Sequence, residues 1–493
     1  MKKNLKTILS VLDKYEINKE ISIEITGVTD DSRKVEKGNL FCCLAGLRSS
    51  GYDYLEDVCQ KGAAALLVDR EINCPHDDVA VITVPDVRQA IKKVVPNFFD
   101  YPALKMKLFG VTGTNGKTTV TYMLKKIAEA AGKKTGIIGT IDTIIDGRKL
   151  PTANTTPDIV QLQTILAQMQ ENGVEHVFIE VSSHALALER VAGCEFDVAV
   201  LTNITQDHLD FHKTFANYVA AKALLFEGLA HNHSKAARAV INMNDSQVQK
   251  IMSKTMVPVI TYGDATNCDV YPKSSVVGVK GMQLMLMTPA GEIELSLATT
   301  GHFNVFNVMA AVSAALCEDI PLEIIKKGLD GFTGVAGRFE LVEQGQPFTV
   351  VVDYAHTPDG LENILRSARQ ITQNRLIVVF GCGGNRDKGK RPLMGDIAQR
   401  LADCVYVTSD NPRNEVPAEI IKDVMTGIEN RENIKQITDR KVAIEEALSL
   451  AKVGDVVVIA GKGHETYQIL GDKTIDFDDR LVAAEFLRVK KYD

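Results

Sequence analysis

At roughly 150 residues per domain, a chain of 493 residues has room for about three domains. Hydrophobic residues make up 45% of it and charged residues 24%, which excludes a disordered polymer, because a chain this apolar can bury a core. The 56 basic and 63 acidic side chains leave a formal charge of -7, with no like-charge run longer than two, so nucleic acid and anionic membrane surfaces are poor partners. The nine cysteines form no CxxC pair, a usage that fits a reducing compartment. No apolar stretch approaches the roughly 18 to 20 residues that span a bilayer, so membrane insertion is not expected. At the N-terminus Leu5, Ile8, Leu9 and Leu12 fall at helical spacing. Lys6 and Asp13 interrupt them, no small-residue cleavage site follows, and a cytoplasmic protein is the expectation.

Residues 1 to about 103 carry short β-type runs, ISIEITGV and VAVITV, with the apolar GAAALLV between them. The stretch NFFDYPALKMK, with Pro96 and Pro102 nearby, reads as a linker. From Leu108 a β/α alternation begins. KLFGVTG reads as a buried strand, Gly116 to Ala131 as a helix, and GIIGT, HVFIEV and DVAVLTN as further buried strands. Helices are expected over Asp158–Asn172 and Phe215–Leu229, and residues 268–300 alternate as a β-meander does. A second boundary falls near Thr333–Arg338, after which FTVVVDYA, RLIVVFG, CVYVTSD and VVVIAG restart the strand rhythm. The economical architecture is α/β throughout: a small domain followed by two larger α/β domains.

The sharpest motif runs Gly110-Val-Thr-Gly113-Thr114-Asn115-Gly116-Lys117-Thr118-Thr119. A strand turning through glycines into a helix aims backbone N–H groups and the helix dipole at an anion. Lys117 can reach phosphates and Thr118 can offer its hydroxyl to Mg²⁺. The spacing departs from GxxxxGK[ST], because five residues separate Gly110 from Gly116. Two strand ends supply further groups, Glu180-Val-Ser182-Ser183-His184 and Asn203 to His212, where α/β sheets place ligands. His208 and His212 also stand at i and i+4, the spacing of half a zinc site, without an HExxH or cysteine partner. Lys222 lies on an apolar helical window and by itself reads as a snorkelling surface lysine. No GxSxG elbow exists for serine-hydrolase chemistry.

Taken together, GTNGKTT, EVSSH, TNITQDHLDFH, YVAAK, GHFNVFN, GRFE, DYAHTPD, GCGGNRDKGKRP, DNPR and GKGHE resemble the Mur ligases, ATP-dependent amide-forming enzymes of peptidoglycan precursor synthesis. The resemblance spans nearly the whole chain, and the last motifs separate it from folylpolyglutamate synthetases. It implies a UDP-sugar domain (1–103), a central P-loop domain with a mainly parallel sheet that binds ATP (104–336), and a C-terminal Rossmann-like domain for the incoming amino acid (337–493). The branch resembled most adds the third residue to UDP-N-acetylmuramoyl-L-alanyl-D-glutamate. Ser32 then corresponds to the uridine site, and Asn154, Thr155, Thr156, Ser182 and Arg190 to the muramoyl-dipeptide site. Leu188 stands where some relatives carry glutamine. Gly113 to Thr119, Asn304, Asn307, Arg338 and Asp353 correspond to the nucleotide site. Thr118, Glu180, His208 and Lys222 correspond to metal ligands, Lys222 as a carbamate.

The chemistry requires a carboxylate to become an acyl phosphate before an amine can displace phosphate. Lys117, Mg²⁺ and Arg338 would neutralise charge as the anions meet, and closure of the third domain would exclude water. Arg386, the run Asp410, Asn411, Pro412 and Arg413, and the pair Gly461 and Glu465 each follow an expected strand and should converge on one crevice. Arg413 alone reads as a turn arginine. The resemblance makes it the reader of the distal carboxylate of meso-diaminopimelate, with Glu465 on the distal ammonium. A lysine-adding relative and a P-loop ATPase without ligase activity are the alternatives, and a monomer is the expected state.

Overall fold

The computed structural model describes every residue except 20–21, 46–49, 75, 153, 232–233, 431 and 491–493. The chain is α/β and forms two compact units. The first comprises Met1–Gly110, Lys133–Asp197 and His231–Ala237; the second comprises Val111–Gly132, Val198–Ala230 and Arg238–Asp493.

In the first unit a five-stranded sheet has the order Glu16–Ile17, Ala80–Thr83, Ala65–Val68, Asn39–Cys42, Gly27–Thr29, parallel except at its first pair. Side-chain alternation divides these strands between two cores. Leu40, Cys42, Ala65, Leu67, Ala80 and Ile82 pack on one face with the helices Leu5–Leu9 and Val87–Phe98, while Phe41, Cys43, Leu66, Val68 and Val81 pack on the other. The apolar run GAAALLV therefore supplies a central strand. The expected linker differs from the structure. Pro96, Asn97 and Phe98 belong to the last turn of a helix, and the Asn97 Nδ2 donates to Thr7 O at 2.8 Å and Ile8 O at 3.0 Å. The amphipathic face of Val87–Phe98 outweighs the turn-like composition, because it buries Val87, Ala90, Ile91, Val94 and Val95. The same unit holds the strand Thr135–Ile138, parallel to His176–Glu180 and antiparallel to Thr143–Ile145, and the helix Ile159–Glu171.

In the second unit the parallel strands Val198–Leu201, Arg238–Asn242 and Val259–Tyr262 accompany the helices Lys117–Ala130, Phe215–Leu229 and His302–Leu316. The expected meander is present as Tyr271–Gly278, Gly281–Thr288 and Gly291–Leu297. A six-stranded sheet follows in the order Glu340–Leu341, Thr349–Asp353, Val456–Ala460, Leu376–Cys382, Cys404–Ser409, Ile434–Ile437, and only its first pair is antiparallel. Val351, Val378, Phe380, Val405 and Val458 face one core, whereas Val350, Ile377, Val379, Tyr406 and Val457 face the other. Strands buried on both faces explain the unbroken apolar runs of this region.

Candidate active site

The strand Lys107–Thr112 ends in the glycine loop, and the helix Lys117–Ala130 begins from it. Gly113 has φ +152°, and a Cβ there would collide with the Thr202 hydroxyl; Gly116 has φ +87°, and a Cβ there would collide with Asn307 Oδ1. Both positions require glycine for conformation and for space. Gly116 caps the helix without a side-chain hydrogen bond, so no side chain of the cap competes for the first-turn N–H groups. Thr114 N donates to Asn203 O at 2.7 Å and Asn115 N to Asn203 Oδ1 at 3.0 Å, which fixes the loop's curvature. Lys117 curls back over the loop, its Nζ 2.9 Å from Gly113 O and 2.8 Å from Thr114 O. Thr118 and Thr119 are buried at the start of the helix.

Lys222 does not snorkel. It is 1% exposed in the helix Phe215–Leu229, its Nζ donates to Gly113 O at 2.8 Å, and it lies 4.7 Å from the centre of the Tyr218 ring. Burial pushes its amine well below the usual lysine range, Lys117 adds to the effect, and Asp207 and Asp245 oppose it only in part. His208 adopts φ +54° beside Asp207, with its Nε2 3.3 Å from Asp207 Oδ2. His212 is buried edge-on against Tyr218, at 5.4 Å between ring centres. Among the described residues no group of three or more His, Cys, Asp or Glu is assembled as a metal cluster.

Asn307 Nδ2 donates to Asn304 Oδ1 at 2.8 Å, and Asn304 Nδ2 to Thr300 O at 2.7 Å, a chain of amides behind Gly116. Arg338 Nη2 donates to Thr118 Oγ1 at 3.2 Å, and the guanidinium carbon lies 4.6 Å from the centre of the Tyr354 ring. Asp353 accepts from Phe339 N and Ala355 N, each at 2.7 Å, and so holds the turn that presents Arg338. From the DYAHTPD run, Asp359 also accepts from Asn115 Nδ2 at 2.6 Å. The structure therefore brings together Lys117, Thr118, Lys222, Asn304, Asn307, Arg338 and Asp353.

A second cluster forms at the carboxyl ends of the strands Leu376–Cys382, Cys404–Ser409 and Val456–Ala460. Asn411 Nδ2 donates to Glu465 Oε2 at 2.9 Å, and Lys462, 0% exposed, reaches the same oxygen at 2.9 Å and Asn411 Oδ1 at 3.2 Å. Asp410, Pro412 and Gly461 are buried beside them, while Arg386 is exposed. Arg413 takes φ +51°, and its Nη1 donates to Gly384 O at 2.9 Å. Sequence reasoning missed Lys462, although it lies inside GKGHE. It also missed Arg440, whose guanidinium forks onto Asp479 at 2.7 Å on both oxygens and onto Ser409 O and Ala460 O at 3.2 and 3.0 Å. No short motif links positions 39 residues apart, so that clamp had no sequence signal.

The remaining candidates lie in the first unit. Glu180 is 1% exposed and takes two hydrogen bonds from Thr140, from N at 2.8 Å and from Oγ1 at 2.9 Å. Thr140 Oγ1 also lies 3.1 Å from Thr155 Oγ1. Thr156 Oγ1 donates to Glu180 O at 2.7 Å, Ser182 caps the helix Ser183–Ala187, and Arg190 Nη1 donates to Thr156 O at 3.1 Å. Asn154 is exposed near this cluster, as is Leu188. Ser32 opens a short 3-10 turn capped by Asp31, and its carbonyl accepts from Lys61 Nζ at 2.9 Å.

Residues 24–99 match the Mur ligase family, catalytic domain; residues 111–315 match the Mur ligase middle domain; residues 337–463 match the Mur ligase, glutamate ligase domain. A Bacillus cereus protein named UDP-N-acetylmuramoyl-L-alanyl-D-glutamate–2,6-diaminopimelate ligase is 43% identical over 483 residues, 98% of each chain. One of the same name from Geobacillus thermodenitrificans is 44% identical over 490 residues, 99% of this chain and 100% of that one. A solved structure of a ligase of that name superposes with a TM-score of 0.69 at 31% identity, covering 99% of each chain. With all three regions matched, and relatives this similar along nearly its whole length, the chain is a ligase and belongs to the Mur ligase family.

Proposed function

We propose that this ligase uses ATP and Mg²⁺ to join meso-diaminopimelate to the D-glutamate carboxylate of UDP-N-acetylmuramoyl-L-alanyl-D-glutamate, the reaction for which its relatives are named. The observation that carries the choice of acceptor is the crevice where Arg413 stands with Asn411, Lys462 and Glu465. An acceptor whose far end bears both a carboxylate and an ammonium needs both signs of charge at one place. We assign the UDP-sugar to residues 1–103, ATP to 104–336 and the amino acid to 337–493, with Ser32, Asn154, Thr155, Thr156, Ser182 and Arg190 on the UDP-sugar substrate.

The glycine loop amides and Lys117 hold the phosphates of ATP, and Arg338 meets the charge that spreads as the γ-phosphoryl moves to the glutamate carboxylate. The acyl phosphate then takes the amine of the acceptor; the amide bond forms, the acyl C–O bond breaks, phosphate leaves, and the amine loses a proton. Of the residues we assign to the Mg²⁺ shell, Thr118 would offer a hydroxyl and Glu180 a carboxylate, the hard oxygen donors this cation prefers. When bound, it would neutralise phosphate charge. Lys222 and His208 would add to that shell, Lys222 after its neutral amine takes up CO₂ and releases a proton to become a carbamate. The depressed basicity of the buried Lys222 amine supports that step.

Ligation measured with meso-diaminopimelate, L-lysine and L-ornithine tests the acceptor. Turnover should be silent without an acceptor and greatest with meso-diaminopimelate; a preference for L-lysine overturns the reading. Arg413→Ala should cost on the order of 2–5 kcal/mol of discrimination between diaminopimelate and lysine, because it strands a carboxylate in the crevice.

A further inference from the structure

The crevice is walled by two loops, 383–389 and 410–415, which bond to each other directly. Gly384 N donates to Asn411 O at 2.9 Å, Asn414 N to Asn385 Oδ1 at 3.1 Å, and Arg413 Nη1 to Gly384 O at 2.9 Å. A Cβ at Gly384 would collide with Pro412 O, so the two backbones meet at the closest approach a chain allows. In the first turn of the helix Lys390–Leu401, Arg391 is 0% exposed and reaches both loops. Its Nη1 donates to Glu415 Oε2 at 3.0 Å and Asp423 Oδ2 at 2.7 Å; its Nη2 donates to Glu415 Oε1 at 3.0 Å and Gly383 O at 3.3 Å. Glu415 in turn accepts from Asn385 N. Its carboxyl is held down at about 2, first by the hydrogen bonds from Arg391 and then by that from Asn385.

One planar guanidinium thus fixes Gly383, three residues before Arg386, against Glu415, two residues after Arg413. A flexible ammonium cannot reproduce two parallel bonds to one carboxylate together with a third and a fourth partner. We propose that Arg391 is a positioning residue for acceptor selection: it sets the spacing of Arg386 and Arg413, and through them the preference for an amino acid with a distal carboxylate. This inference rests on the assignment of the crevice to diaminopimelate. It adds a residue that does not touch the acceptor, and it explains why a buried charge lies beneath a surface loop.

The test compares wild type with Arg391→Met, Arg391→Lys and Glu415→Gln, each checked for folding by thermal denaturation. For Arg391→Met the KM for meso-diaminopimelate should rise about tenfold or more, with a similar fall in its preference over L-lysine, while the KM for ATP stays within about twofold. Arg391→Lys should restore part of the loss, and Glu415→Gln should shift the same two quantities in the same direction. If Arg391→Met does not fold, the other two variants carry the comparison. Folded variants that keep the diaminopimelate preference, or whose three substrate KM values rise together, overturn the positioning role. A wild type that does not use diaminopimelate overturns the acceptor assignment and this inference with it; a wild type that does, with variants that keep its preference, overturns the inference alone.

Discussion

Two lysines of the second unit are equally buried and keep opposite company. Lys222, 1% exposed, donates to one carbonyl and faces a tyrosine ring, and among the described residues no carboxylate lies within ion-pair distance of it. Lys462, 0% exposed, sits 2.9 Å from Glu465 and 3.2 Å from Asn411. A buried cation with a partner is a strut, and its cost is offset by its partner and its hydrogen bonds. A buried amine without one is driven toward its neutral form, which is the nucleophilic one. Beside the phosphate loop the fold buries the Lys222 amine without a carboxylate among the described residues; around the acceptor crevice it pairs Lys462 with Glu465 and Arg391 with Glu415 and Asp423. The first arrangement serves chemistry and the second serves geometry.

The paired side should break hardest. The side chains of Arg440 and Asp479 are both 0% exposed, and Asp479→Ala leaves the guanidinium, among the described residues, with the Ser409 and Ala460 carbonyls. Denaturant unfolding should register a loss of about 3–5 kcal/mol, as for other buried pairs cut on one side. An unchanged unfolding midpoint would show that this clamp is not needed to hold the strand ends together.

On the unpaired side the losses should fall on rate instead of stability. Lys222→Met removes an amine with no ion partner, so stability should stay within about 1 kcal/mol of wild type. Ligation should nevertheless fall by about 10²–10³-fold, the loss that follows removal of one preorganised electrostatic group. Stripping CO₂ from the assay should lower wild-type turnover, and bicarbonate should restore it. Turnover indifferent to CO₂ would remove the carbamate from the mechanism and leave Lys222 as a neutral hydrogen-bond donor.

The legibility of these regions in the sequence divides along the same line. The phosphate loop was readable because glycine, lysine and threonine sit contiguously, and the structure adds why Gly113 and Gly116 are required, namely Thr202 and Asn307 against them. The strands of the six-stranded sheet were readable because burial on both faces writes itself as a continuous apolar run. Lys222 was not readable from its neighbours, since an apolar helical window looks the same around a snorkelling lysine and a buried one. The helix Val87–Phe98 was obscured by Pro96 and the aromatic residues after it, although its apolar period was present from Val87 onward. Arg440 and Asp479 meet only through tertiary structure, and no local pattern announces a pair of that kind.

Asp30 in the first unit carries the contrast to the opposite charge. Burial, with Asp158 as the next contributor, raises its carboxyl from the ordinary 3.8 to about 6, and a backbone hydrogen bond and, less, Lys34 oppose this only in part. Because the folded state holds the proton more tightly than the unfolded chain, the cost of ionisation is absent below about pH 4. It grows between about pH 4 and 6, and above that it is fully present. Asp30→Asn keeps the shape of the neutral acid at every pH. Since the side chain retains some solvent contact, the variant should gain about 1 kcal/mol over wild type at pH 7.5, and less at pH 5. Unfolding curves at the two pH values decide it. An equal gain at both would assign the effect to packing, and a loss at pH 7.5 would mean that the ionised carboxylate has a favourable role in this fold, against the rule that Lys222 and Asp30 otherwise share.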